Sequence, residues 1–178
     1  MEPLLWTFDE VARFVEHPDL PVRRWALERL TKRFPAQAGE VLITMVDDPD
    51  DHIARESIRF LSETGDPVRY GPILLDRLGE AEGPRAGHLA EALARLDHRE
   101  ALPAILERLS PDPGALDEYE MVSLVKAIGV LGGEEARQAL WQIVDGLPEG
   151  ASYAGSVLES LLETARRQDV DRAVRTYR

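Results

Sequence analysis

Pro18-Asp19-Leu20-Pro21-Val22-Arg23-Arg24-Trp25-Ala26-Leu27-Glu28-Arg29-Leu30 is matched 31 residues later by Pro49-Asp50-Asp51-His52-Ile53-Ala54-Arg55-Glu56-Ser57-Ile58-Arg59-Phe60-Leu61. Both stretches open on Pro-Asp. Val22 falls on Ile53, Arg24 on Arg55, Leu27 on Ile58 and Leu30 on Leu61. Leu27, Leu30 and Phe34 lie at i, i+3 and i+7, the spacing of one helix face. A repeated amphipathic helix with the same entry sequence implies a repeated structural unit.

The same 31-residue shift carries Asp66 onto Asp97, Pro72 onto Pro103, Leu74-Leu75 onto Ile105-Leu106 and Arg77-Leu78 onto Arg108-Leu109. A shift of 35 carries Ala92-Leu93 onto Ala127-Ile128, Leu96 onto Leu131, Ala101 onto Ala136, Ile105 onto Leu140 and Leu109 onto Val144. Breakers such as Pro35, Gly65-Asp66-Pro67, Gly83-Pro84, Pro111 to Gly114, Gly132-Gly133 and Pro148 to Gly150 divide the chain into helix-sized pieces. No stretch alternates with a period of two, so no strand is expected. Thr7 with Glu10 three residues on forms a capping box and starts a leading helix, about Thr7 to Glu16. Two-helix repeats follow at Pro18 to Val46, Asp47 to Gly79, Glu80 to Leu109 and Ala115 to Gly146, with a degenerate unit from Ala151 onward. Ala26, Ser57, Ala92 and Ala127 mark the first-helix centres, where small side chains permit close helix approach. One pair cannot bury its apolar face alone, so stacking of neighbours builds the core. The expectation is a single all-α domain over residues 1–178, with clear repeats at 18–146 and degenerate units at 1–17 and 147–178.

The chain has 178 residues, 44% hydrophobic and 30% charged, enough for a folded core. With 21 Lys and Arg against 33 Asp and Glu, its net charge is −12. From Gly39 to Glu163 there are 25 acids and 10 bases, a net of −15. Such a field opposes nucleic acid and anionic membrane surfaces, so neither is expected as a partner. The absence of cysteine excludes disulfides, thiolate metal sites and a cysteine nucleophile. The longest near-apolar run, Val41 to Val46, is too short for a membrane helix or a signal peptide, and a cytoplasmic location is expected. Basic residues gather at Arg23, Arg24, Arg29, Lys32 and Arg33, and again at Arg166, Arg167, Arg172, Arg175 and Arg178.

These units resemble HEAT repeats, in the short bacterial HEAT-like form also found in phycobilin lyases. The residues that carry the resemblance are Pro18, Asp19, Val22, Arg23, Ala26, Leu27 and Leu30 in repeat one. In repeat two they are Asp48, Pro49, Asp50, Ile53, Ser57, Ile58, Leu61, Gly65, Asp66 and Pro67, and in repeat three Leu96, Asp97, Ala101, Pro103 and Leu106. Repeat two has Ala54 where the pattern has Arg, and repeat three lacks the Val-Arg pair. The resemblance implies a right-handed α-α superhelix of about five helical pairs, with the second helices lining a concave face.

Catalytic signatures are absent. No histidine lies three or four residues from another, and none of His17, His52, His88 and His98 is followed by Glu, unlike the HEAT-like iron hydroxylases. The acids of Asp47-Asp48-Pro49-Asp50-Asp51 suit a helix N-terminus better than a calcium loop, which needs a central Gly and a terminal Glu. Trp141 aligns with Leu75 and Leu106 and is expected in the core, and Trp6 beside the Thr7 cap is expected as an end-capping contact. No catalytic residue, metal or cofactor is therefore assigned. What recurs is polar: Asp76-Arg77 and Glu107-Arg108 at one phase of successive second helices, Gln142 at the matching place in repeat four, and Tyr70 near a second-helix start. These six residues are the candidate partner-binding row of a non-catalytic interaction or scaffold module. The alternative is an accessory lyase or chaperone-like role for a chromophore or cofactor, which the HEAT-like resemblance implies. Self-association through the terminal repeats is a further expectation.

Overall fold

The computed structural model describes residues 6–109, 116–146 and 154–164. Every regular element among them is helical: α1 Phe8–Ala12, α2 Leu20–Arg33, α3 Pro35–Met45, α4 Asp51–Thr64, α5 Pro67–Glu80, α6 Pro84–Arg95, α7 Leu102–Leu109, α8 Glu118–Leu131, α9 Gly133–Gly146 and α10 Ala154–Thr164. A 3-10 turn, Arg99–Ala101, leads into α7. Helices α2 and α3, α4 and α5, α6 and α7, and α8 and α9 fill the four repeats in order, and α10 falls in the degenerate last one. Ala26, Ser57, Ala92 and Ala127 are all buried, as their place at first-helix centres requires. The chain gathers into two compact units, Met1–Asp66 and Pro67–Arg178, which divide at the Gly65-Asp66-Pro67 breaker inside repeat two. The C-terminal basic cluster from Arg166 onward lies outside the described residues.

In the first unit, α2 packs on α1, α3 and α4 around Val11, Leu27, Leu30, Leu42, Ile53 and Ile58. The capping box forms: the Glu10 N–H donates to Thr7 Oγ1 at 3.4 Å, and Glu10 Oε2 accepts the Thr7 N–H at 2.8 Å. That backbone bond, with help from the Thr7 hydroxyl, holds the Glu10 carboxyl below its ordinary pKa. Helix α1 stops at Ala12, short of the expected Glu16. The Phe14, Val15 and His17 N–H groups then bond to carbonyls three residues back, a tighter winding than the α-helix. This turn brings Phe14 against the α2 residue Trp25, ring centroids 5.6 Å apart and edge to face. Trp6 completes the cluster at 5.8 Å from Phe14 and 5.5 Å from Trp25. Trp25 is half-buried and Trp6 is 42% exposed.

The acid-rich loop has an internal role. Asp48 accepts along one edge of the Arg23 guanidinium with both oxygens, Oδ2 from Nε at 2.7 Å and Oδ1 from Nη2 at 3.1 Å. Arg23 Nη1 also donates to the His17 and Pro18 carbonyls, so this one side chain ties the entry of repeat one to the loop that opens repeat two. Asp50 caps α4 by accepting the Ile53 N–H, and it pairs with Arg24 at 2.9 Å. Hydrogen bonding from Arg24, reinforced by that N–H, holds the Asp50 carboxyl below its ordinary range.

In the second unit the most extensive packing runs through the first helices α6, α8 and α10. The approach is close where glycine faces serine. A Cβ on Gly87 would lie 2.9 Å from Ser123 Cβ, and one on Gly129 would lie 2.7 Å from Ser160 Cβ and 2.9 Å from Ser160 Cα. Leu89, Leu93, Leu124, Ile128, Leu140 and Trp141 fill the core. Helix α6 ends in a paired C-terminal bond motif: the His98 N–H returns to the Leu93 carbonyl and the Asp97 N–H to Ala94, both at 3.0 Å. Asp97, at φ +50°, occupies the left-handed position where glycine is usual.

Candidate functional site

The six expected partner-binding residues all fall in the second unit, on α5, α7 and α9. They do not share one environment. Asp76 is exposed over 74% of its side chain and lies 3.2 Å from the half-buried Arg77. Glu107 and Gln142 are exposed. Tyr70 is buried, with the Arg69 guanidinium 5.6 Å from its ring centroid, which leaves it little surface to offer a partner. Arg108 turns away from solvent. Its Nε and Nη2 bond to Glu120 of α8 at 3.2 and 2.8 Å, and Nη1 and Nη2 donate to the Leu78 and Ala81 carbonyls at 3.2 and 2.7 Å. Arg108 thus satisfies carbonyls at the end of α5 that the helix itself leaves free. The open groups of the row are Asp76, Glu107 and Gln142.

The expected partner-binding row lies on second helices alone, but a groove of about 280 Å³ opens between two first helices of the first unit. It is lined by Arg24, Glu28 and Lys32 of α2 and by His52, Glu56 and Arg59 of α4. Its charges are matched locally: Lys32 pairs with Glu28 at 2.8 Å, and Arg59 pairs with Glu56 at 2.8 Å. Trp25 and Arg29 lie one helical turn apart on the same helix, a spacing visible in the sequence that could have drawn attention to the aromatic cluster.

Among the described residues, no three His, Asp or Glu side chains gather as a metal would require, and no helix is long and apolar enough to cross a membrane. His88 bonds through Nδ1 to the Tyr119 hydroxyl at 2.9 Å, joining α6 to α8. Ser123 of α8 donates to Glu91 of α6 at 2.8 Å beside it. These are interhelix contacts.

No protein-family model and no curated protein matches the chain. Among solved structures, a chain of the complex of CpcE and CpcF of phycocyanin lyase from Nostoc sp. PCC7120 is similar, with a TM-score of 0.71 and 16% identity. The match covers 97% of this chain and 70% of that one. The likeness is one of fold. The described residues are all-helical, and the chain shares the helical fold of that solved chain.

Proposed function

We propose that this chain is a helical-repeat subunit that binds a protein partner and serves as an accessory in handling or attaching a chromophore or cofactor. The observation that supports this reading is the fold alignment, over 97% of the chain, with a chain from a two-protein phycocyanin lyase complex. In this reading the chain's residues bind and position rather than carry out bond-making steps. Asp76, Arg77, Glu107 and Gln142 face the partner. Tyr70 and Arg108 support that surface from beneath. The second reading is a scaffold with no chromophore. It is favoured by the placement of Trp141 in the core and of Trp6, Phe14 and Trp25 in a cluster with one another.

The two readings separate on titration with free phycocyanobilin, followed by absorbance and visible circular dichroism. An accessory role gives a shifted band and an induced dichroic signal that saturate with protein. An unaltered bilin spectrum overturns the accessory role and leaves the scaffold.

A further inference from the structure

The Lys and Arg side chains of α2 and α4 divide into two groups. Arg23, Arg24, Lys32, Arg55 and Arg59 each lie between 2.7 and 3.5 Å from a carboxylate oxygen. Arg29 and Arg33 are exposed, and neither makes an ion pair among the described residues, although Arg29 lies near the Glu28 carboxylate that Lys32 holds. With Trp25 they occupy i, i+4 and i+8 of α2, one continuous stripe. The Arg29 guanidinium lies 6.0 Å from the Trp25 ring centroid, and the Trp6 ring, 42% exposed, packs edge-on against Trp25. A chain of net charge −12 therefore carries two arginines outside any ion pair on the helix of a part-exposed aromatic cluster.

Tryptophan beside arginine is the composition of interface hot spots. The rings offer apolar area that loses little conformational entropy on binding. A guanidinium already resting near a ring face can take a carboxylate with two hydrogen bonds. Arg29 and Arg33 are about 6 Å apart along the helix axis at 1.5 Å per residue. Carboxylates one turn apart on a helix, or two residues apart on an extended strand, have nearly that spacing.

We propose that the Trp6, Trp25, Arg29 and Arg33 strip docks an acidic segment of a protein partner. An apolar or aromatic side chain of that segment rests on the two tryptophans, and its carboxylates engage the two arginines. Charge complementarity selects this occupant: nucleic acid meets the acidic remainder of the chain, and a basic segment meets the arginines. The proposal rests on the reading of the chain as protein-binding but not on the chromophore role. It uses a helix separate from Asp76, Glu107 and Gln142.

The test is fluorescence anisotropy of the full chain with a fluorescein-labelled peptide of Glu, Leu and Phe. Comparison peptides are its Lys-for-Glu counterpart and an all-Glu peptide. Only the first peptide is expected to bind. Added salt weakens it, and Arg29→Gln with Arg33→Gln weakens it about tenfold, since two charge-assisted contacts are lost. Trp6→Ala is expected to weaken it with far-ultraviolet dichroism unchanged, and the arginine variants carry the test should Trp6→Ala unfold. Asp76→Lys, Glu107→Lys and Gln142→Lys together leave this binding unchanged, which separates failure of this surface from failure of the partner-facing row. Failure of the acidic apolar peptide to bind, equal binding of the Lys peptide, or full binding by the arginine variants overturns the proposal. So does a concentration-dependent dimer dispersed by Trp6→Ala, or tighter binding of a labelled oligothymidine.

Discussion

Arg108 of α7 and Glu120 of α8 form an ion pair turned inward at both ends. Arg108 Nη2 stands 2.8 Å from Glu120 Oε1, and 21% and 4% of the two side chains are exposed. Arg108 also holds the Leu78 carbonyl in the last turn of α5 and the Ala81 carbonyl just beyond it, so a single side chain joins three helices.

Truncation of Arg108 leaves the Glu120 carboxylate buried without its cation. Breaking such a pair from one side costs about 3–5 kcal/mol. Arg108→Ala, and more so Arg108→Glu, is therefore expected to lower the melting temperature by roughly 6–20 °C for a chain of this size. Arg108→Ala with Glu120→Leu should recover much of the loss, because the stranded charge is gone. A melting temperature unchanged in Arg108→Ala would show the pair to be idle.

The exposed row behaves differently. Asp76→Lys, Glu107→Lys and Gln142→Lys together are expected to change stability by under about 1 kcal/mol, because each site lies outside the core. Partner binding should fall. Chemical denaturation and a binding assay with the same protein preparation read both effects. A stable triple variant that binds its partner normally removes the row from the interface.

Asp97 stands at φ +50°, a conformation that costs a residue with a Cβ free energy. Asp97→Gly is expected to stabilise the protein by about 0.5–1 kcal/mol, less the small loss of the Arg99 contact at 3.0 Å. The change in urea midpoint at constant m-value measures it.

Two helix glycines should respond with opposite sign to alanine. A Cβ on Gly129 would meet Ser160, including its backbone, below 3.0 Å, so α8 and α10 must separate, at about 1–3 kcal/mol. A Cβ on Gly79 meets nothing within 4 Å, and Gly79→Ala is expected to stabilise α5 by up to about 1 kcal/mol. Equal effects at the two sites would contradict the close approach at Gly129.

The depressed pKa of Asp50 fixes the sign of a pH effect. A carboxylate with a lower pKa folded than unfolded contributes stability that is complete above its unfolded value, about 3.9. That contribution is lost as pH falls through the lower folded pKa. Asp50→Asn should therefore be less stable than the parent near neutrality, and the gap should narrow below about pH 4. Denaturant midpoints across that range check it, and a gap independent of pH would exclude the Arg24–Asp50 pair as its source.

Much of the fold is legible in the sequence because its determinants are local. The period of Leu27, Leu30 and Phe34, the Thr7 to Glu10 box, the acids ahead of α4 and α8, and the Gly132-Gly133 break act within a turn or two of themselves. Recurrence at 31 and 35 residues then gives the pairing of helices, and the buried Ala26, Ser57, Ala92 and Ala127 follow from it. Equivalence in the repeat does not give equivalence in space. Asp66 and Asp97 align, but only Asp97 takes the left-handed position; the residue before Asp66, Gly65, ends α4 in an extended conformation at φ −86°. Arg77 and Arg108 also align, and helix phase places both one residue from a core leucine. Phase relates a side chain only to its own helix. Whether the next helix covers that side is decided by packing: Arg108 finds Glu120 twelve residues on and the Leu78 carbonyl thirty residues back, and 21% of it is exposed, whereas Arg77, 31% exposed, lies beside the exposed Asp76. The sequence by itself determined the helices, their caps and their repeat. Only the tertiary structure decided which polar side chains face solvent and which tie one repeat to the next, because that depends on neighbours far away along the chain.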